Sequence, residues 1–353
     1  VLKSPETPCS EGIVVLSRLK AQDWSRRGEG PRTGDSLKTD RRRLRAEWLA
    51  TAILSTLLLS ILVSTGATTR FDNAIYDLSL RLKHTPARPD IVIVAVDPPS
   101  LQTEGEWPWP RRVIARMLTN IANGHPKALA YHFLLFSPSP DDLAVRDAIA
   151  RTRTFLGVPH REPDGGRKGH PLKPVPTIAA AAAGIGAGDS QPDQDGIVRR
   201  TLLFEGPASD LTPRMVLQMA RLDRGHPDTS RAVSRNGELL IPYAGPPGTY
   251  RTVSALQVLN GAIPKDTFKN KFVLVGATAP ELLDNYPTPR SGAKGMPSVE
   301  VDANVLNSLL EGVGITPISR PMTLAVSIAL LWALLIALLR LRPDDNLRLA
   351  AGL

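Results

Sequence analysis

DIVIVAVD, residues 90–97, places six consecutive apolar residues, five of them β-branched, between two aspartates. A strand with one wet face alternates apolar and polar residues. An unbroken run of this length predicts a strand covered on both faces. ALAYHFLLF at 128–136, TFLGVP at 154–159 and KNKFVLVGAT at 269–278 read the same way. Helical stretches separate them. A helix is predicted from about Arg111 to Ala122, and another in PSPDDLAVRDAIART at 138–152, with Ser139 or Asp141 as N-cap. The Ala-rich residues 177–187 predict a short helix closed by GIGAG at 184–188, and DGIVRRTLLF at 195–204 a turn followed by a strand. Further on come a helix around 213–224, strands near 238–243, and a helix in TVSALQVLNG with Gly261 at its C-cap. A last helix, VEVDANVLNSLLEG, ends at Gly312. Strands that alternate with helices predict a single α/β domain, its sheet mixed in direction and flanked by helices.

Two longer apolar runs bracket this region. WLATAILSTLLLSILVSTGA at 48–67 and PMTLAVSIALLWALLIALL at 321–339 carry no charge. As helices each reaches roughly 30 Å, the thickness of a bilayer's hydrocarbon core. Lys38, Arg41, Arg42, Arg43 and Arg45 precede the first run, and Arg340, Arg342 and Arg348 follow the second. Positive flanks stay in the cytoplasm, so 68–320 is predicted to lie outside, with both termini inside. Residues 1–47 read as an irregular basic arm, and FDNAIYDLSLRLKH at 71–84 as a helix continuing from the first span, with Phe71, Ile75, Leu78 and Leu82 at helical spacing. Residues 340–353 read as a cytoplasmic turn leading into a third span, because apolar character resumes in NLRLAAGL.

The net charge of +9 is concentrated beside these runs. Residues 1–47 hold eleven Lys and Arg against seven Asp and Glu, which speaks against a nucleic-acid face and for contact with the lipid bilayer. The single cysteine, Cys9, excludes an intramolecular disulfide framework and any multi-cysteine metal site. No metal or cofactor is expected. The histidines lack ligand spacing, and His132 reads as a partly buried strand residue.

Several strings resemble the CHASE2 family of bacterial extracellular sensory domains: FDNAIYDLSLRL at 71–82, IVIVAVDPPSL at 91–101, WPWPR at 107–111, DGIVRR at 195–200, IPYAGPPGTYRTVS at 241–254, FVLVGATAPELLDNYPTP at 272–289 and MPSVEVDANVLNSLLEG at 296–312. Their order and spacing cover 70–315. The resemblance implies a sensory input region with one span before the domain and several after, then a cytoplasmic nucleotide cyclase, diguanylate cyclase or protein kinase, often in a homodimer. Two positions depart from the family pattern. His132 stands where an acid is usual, and Ser298 where a glycine is.

Candidate ligand-binding residues follow from position and chemistry. Asp97 ends a buried strand, where α/β folds bind ligands, and is better suited to capping the PPS turn. Trp107, Trp109 and Arg111 offer an aromatic platform beside a cation, or a cover for a sheet edge. Asp195 sits in a turn, and Arg199 and Arg200 point to opposite faces of the next strand, one toward a buried acid. Asp284 follows the last buried strand, where it either borders the same pocket as Asp97 or belongs to a structural turn. No GxSxG, HExxH or cysteine nucleophile is present, so the chain itself reads as non-enzymatic. The expected function is detection of a small-molecule or peptide cue outside the membrane. The rival readings are a membrane-anchored binding or scaffold protein, and a hydrolase built on Asp97 and Asp284.

Overall fold

The computed structural model describes residues 33–67, 69–82, 85–159, 173–206, 211–224, 237–314 and 320–340. In chain order, α1 (Thr33–Thr65) and α2 (Thr69–Leu82) precede β1 (Ile91–Val96), α3 (Pro98–Glu104), α4 (Arg111–Ala122), β2 (Ala128–Tyr131), α5 (Asp142–Ile149), β3 (Thr154–Val158), α6 (Pro176–Ala179) and β4 (Gly184–Ala187). Short strands β5 (Arg200–Leu202), β6 (Phe204–Glu205) and β7 (Thr212–Pro213) lead to α7 (Met215–Arg224), β8 (Glu238–Leu240), β9 (Arg251–Ser254), α8 (Ala255–Leu259) and β10 (Phe272–Ala277). The last elements are β11 (Asn285–Tyr286), β12 (Met296–Pro297), α9 (Ser298–Glu311) and α10 (Arg320–Arg340). Two compact units result, one formed by the two ends of the chain and the other by Thr69–Ile318.

The first unit pairs α1 with α10. Ala46–Thr65 and Pro321–Leu338 are long and apolar enough to cross a bilayer, with mean hydropathies of 1.9 and 2.3. Trp48 and Trp332 meet edge to face at 5.9 Å. Their indole N–H groups donate across the pair, Trp48 to the Leu335 carbonyl at 3.2 Å and Trp332 to Thr56 Oγ1 at 3.1 Å. The hydroxyls of Thr56 and Ser60 return to the carbonyls of Ala52 and Thr56, each at 2.7 Å. Polar atoms in hydrocarbon need such internal partners. α1 begins at Thr33, inside the arm expected to be irregular, because its Leu, Arg, Lys and Glu residues are good helix formers that extend an existing helix. The expected third span lies outside the described residues.

In the second unit, β1 and β10 form the centre of a six-stranded sheet ordered β4-β3-β2-β10-β1-β9. β1 sends Ile91 and Ile93 into one buried layer and Val92, Val94 and Val96 into the other. β10 divides Phe272 and Leu274 from Val273 and Val275 in the same way. Each such side chain contributes about 1.5–3 kcal/mol by leaving water. α4, α5, α6 and α8 cover one face, α7 and α9 the other. Steps toward the β4 edge cross on the first face and the return from β4 to β9 crosses on the second, so the crossovers share one hand.

The α/β class is as expected, but strand direction is segregated rather than mixed. Every pairing in the large sheet is parallel, and among the described residues antiparallel pairing is confined to three two-stranded ribbons. GIGA is not the end of a helix; it is β4, the edge strand next to β3. Its glycines permit close approach, since a Cβ on Gly186 would lie 2.6 Å from the Met215 nitrogen and the Pro213 carbonyl. RTVS, its last three residues expected to open a helix, is β9, because its pairing with β1 outweighs its weak apolar pattern. α2 is separated from α1 by a turn with Gly66 at φ 73°, and its stripe of Phe71, Ile75, Leu78 and Leu82 is exposed while Asn73, Tyr76 and Leu80 face the domain.

Gly276 decides how close α9 lies to the sheet. A Cβ there would sit 2.5 Å from Val299 Cβ. Gly276→Ala is expected to destabilise the domain by about 1–3 kcal/mol, as overpacking does, and Val299→Ala in the same chain to restore much of the loss. Denaturant unfolding of the single and double variants measures both effects.

Candidate ligand-binding site

β2 leads into α5 on one face of the sheet, whereas its neighbour β10 leads toward α9 on the other. Their carboxyl ends therefore part, and a crevice opens between the outgoing segments. Such switch points are where open parallel sheets bind ligands. A cavity of about 490 Å³ occupies this one. His132 and Phe133 enter it just past β2, Asp284 and Tyr286 from the loop after β10, and Ser298 from the first residue of α9. Trp107 and Arg111, at the entry to α4, complete the wall.

Behind the cavity lies a buried ion pair. Arg214 is fully buried, and its Nη2 and Nε stand 2.6 and 2.8 Å from Asp302 Oδ1. It also donates to the Asp189 carbonyl at 2.5 Å and to Ser190 Oγ at 3.0 Å. The other oxygen, Asp302 Oδ2, is 3.5 Å from His132 Nε2, and neither atom has a hydrogen-bond partner among the described residues. That spacing alone would read as an ion pair. Burial nevertheless holds the His132 pKa below its ordinary value; Asp302 and Asp284 oppose the shift and Arg214 adds to it. Arg214 already balances Asp302, so His132 is neutral at pH 7.

Asp284 is held at the start of α9. Its carbonyl accepts from the Ser298 N–H at 2.9 Å, and the Ser298 hydroxyl donates to its Oδ2. The preceding Leu283 has φ 50° and is 89% exposed. A leucine in the left-handed region is strained, and strain of this kind collects at functional sites.

Three of the sequence candidates line the cavity: Trp107, Arg111 and Asp284. Arg111 bonds Asp142 Oδ1 at 3.2 Å and the Ser137 carbonyl at 3.0 Å. Trp109 is buried behind Trp107, its N–H on the Gly105 carbonyl at 3.0 Å. Asp97 is not in the lining. It caps α3, accepting from the Ser100 N–H at 3.1 Å and from Ser254 Oγ at 2.9 Å. The expected shared pocket of Asp97 and Asp284 is therefore not formed.

Asp195 and Arg199 lie elsewhere, in a clamp on α2. The Arg199 side chain, 3% exposed, bonds Asp77 of α2 at 2.9 and 3.0 Å, Asp195 at 2.9 Å and Asp193 at 3.2 Å. Tyr76 of α2 donates to the Ile241 carbonyl at 2.5 Å. Arg200, a third exposed, pairs with Asp193 at 3.0 Å. Four carboxylates thus share the two guanidinium groups once Glu238, 3.8 Å from Arg200, is included.

His132, Phe133, Tyr286 and Ser298 went unread as site residues. The available signal was position, since His132 directly follows a parallel strand and Ser298 opens a helix. A model of the CHASE2 domain matches residues 53–341. The chain belongs to the CHASE2 family. CHASE2 domains are extracytoplasmic, sensory and non-catalytic. Here the two apolar helices flank the CHASE2 domain core. No curated protein and no solved structure matches the chain. Both departures from the CHASE2 pattern, His132 and Ser298, are cavity residues, and the DGIVRR string supplies the clamp on α2.

Removing one member of the buried pair, as in Asp302→Leu, is expected to cost about 3–5 kcal/mol by stranding the Arg214 charge, and Arg214→Met beside it to recover most of that. Chemical denaturation of both variants checks this.

His132 also predicts a pH dependence. Its folded pKa lies below the ordinary 6.5, so below pH 6.5 the unfolded chain takes up a proton that the folded chain refuses. This contribution to stability is complete above that pH and is lost as pH falls toward the lowered folded value. Between pH 7.5 and 5.5 the unfolding midpoint of the His132→Gln variant should fall less than that of the wild type; equal slopes would remove His132 from the account.

Proposed function

We propose that this chain is the input region of a membrane receptor, in which the outer domain binds a small-molecule cue in the switch-point cavity. Its bound state passes across the membrane to a cytoplasmic cyclase, diguanylate cyclase or kinase module. The observation that carries this reading is α9. Its first residue lines the cavity, every residue from Ser298 to Leu310 is buried, and the chain runs on from its cap at Gly312 to the apolar helix α10 at Arg320. A helix of 14 residues spans about 21 Å. Rearrangement at Ser298 and Asp284 is thereby linked through a rigid element to the chain entering a span. At the other end, α2 starts within four residues of α1 and is held to the domain by Arg199 and Tyr76.

A cue acts by binding one arrangement of the domain better than another, which shifts their populations. The basic residues before the first span and after the second support cytoplasmic termini and an outer middle domain. Hydrogen exchange of the full chain in lipid nanodiscs, run against a library of polar metabolites, tests the proposal. A binding compound should slow exchange at 132–137 and 282–286 and also change it along α2 and α9. Compounds that protect only the cavity segments would overturn the relay, and a library without one binder would overturn the cavity as cue site.

A further inference from the structure

Resting on the reading of this cavity as the cue site, we propose that its ligand is an amphiphilic organic cation: an ammonium group on a flat or apolar body. The cations around the cavity are already engaged. Arg111 is held by Asp142 and the Ser137 carbonyl, and Arg214 by Asp302, Ser190 and the Asp189 carbonyl. Of the lining carboxylates, Asp284 has capacity to spare: Ser298 occupies its Oδ2 and leaves Oδ1. Burial raises the Tyr286 phenol to a pKa of about 12, with Asp189 and Asp284 adding to the shift and Arg214 opposing it. Asp189 and Asp284 both line the cavity, so a ligand carboxylate would enter against their charge and an ammonium would follow it.

The second, independent sign is His132. Its side chain is 5% exposed, lines the cavity, and keeps Nε2 without a hydrogen-bond partner. A buried polar atom left in this way costs free energy until a ligand group meets it. With its proton on Nδ1, His132 presents Nε2 as an acceptor at the cavity wall, and a ligand donor is the group that meets it.

The walls specify the rest of the molecule. Trp107 and Phe133 lie 4.0 Å apart at a tilt of 35°, and Tyr286 adds a third ring to the lining. Aromatic faces attract cations and flat apolar bodies alike. At the rim, Leu134, Phe136 and Leu283 remain 37%, 50% and 89% exposed, an apolar margin suited to a hydrocarbon portion of the ligand.

Three probes of one shape separate charge from fit: 2-phenylethylamine, 2-phenylethanol and 3-phenylpropionate, titrated calorimetrically into the full chain in nanodiscs. The amine is expected to bind at least about tenfold more tightly than either analogue, as a charge-assisted bond predicts. Asp284→Asn keeps an acceptor for Ser298 and should bring the amine to within about twofold of the alcohol. Phe133→Leu, which leaves the charges alone, should weaken amine and alcohol together. An acid that binds as well as the amine, or an amine advantage that survives Asp284→Asn, would overturn the cation while leaving the cavity reading intact. The same holds if no probe binds. Binding indifferent to both Phe133→Leu and Ser137→Trp, the latter at the cavity mouth, would place the ligand elsewhere and overturn the cavity reading itself.

Discussion

A guanidinium cut off from water must find its acceptors inside the protein, and Arg214 is the largest fully buried side chain among the described residues. It meets that requirement by joining three parts of the fold. Arg214 immediately precedes α7, Asp302 lies on α9, and the carbonyl and hydroxyl it also uses belong to Asp189 and Ser190, just past β4. Alternative packings of α7 against α9 would strand a charge, so the pair selects one arrangement even where its net contribution to stability is small. The same pair leaves Asp302 Oδ2 facing His132, which lines the cavity.

α9 repeats that device along its length. It is buried all round, yet carries Glu300, Asp302, Asn304 and Asn307. Asp302 takes the Arg214 guanidinium, and the other three take backbone groups that no strand or helix satisfies. Glu300 accepts from Gly248 and Thr249, Asn304 from Ala244, and Asn307 from Arg88 while donating to the Pro86 carbonyl. Burial raises the Glu300 pKa, with its backbone donors working against the shift. The central helix thus holds the irregular connections of the domain as well as filling its core. Any movement of α9 must exchange these bonds together, which favours discrete states over gradual deformation.

Much of the fold was legible in local sequence. DIVIVAVD and FVLVGA read as doubly covered strands because no polar residue interrupts them, and the helix from Arg111 to Ala122 has its observed limits. The misreadings have a common cause. RTVS and GIGA form edge strands with few apolar side chains, and their identity comes from pairing with β1 and β3. Asp97 satisfied the positional rule for a ligand group, but two nearby serines and the helix that follows engage it as a cap. Trp107, Arg111 and Asp284 reached the cavity because each adjoins the carboxyl edge of the sheet or the loops over it.

The sequence by itself determined two apolar helices, an α/β domain between them and membership in a sensory family, since composition, periodicity and motif order are properties of the chain. Charge asymmetry supplied an expected orientation in the same way. Which side chains share a cavity was decided only by the tertiary structure. His132, Asp284 and Ser298 meet because β10 is inserted between β1 and β2, bringing segments more than 140 residues apart to one switch point. No local pattern encodes that neighbourhood: strand order depends on which surfaces pack best once every strand and helix is present.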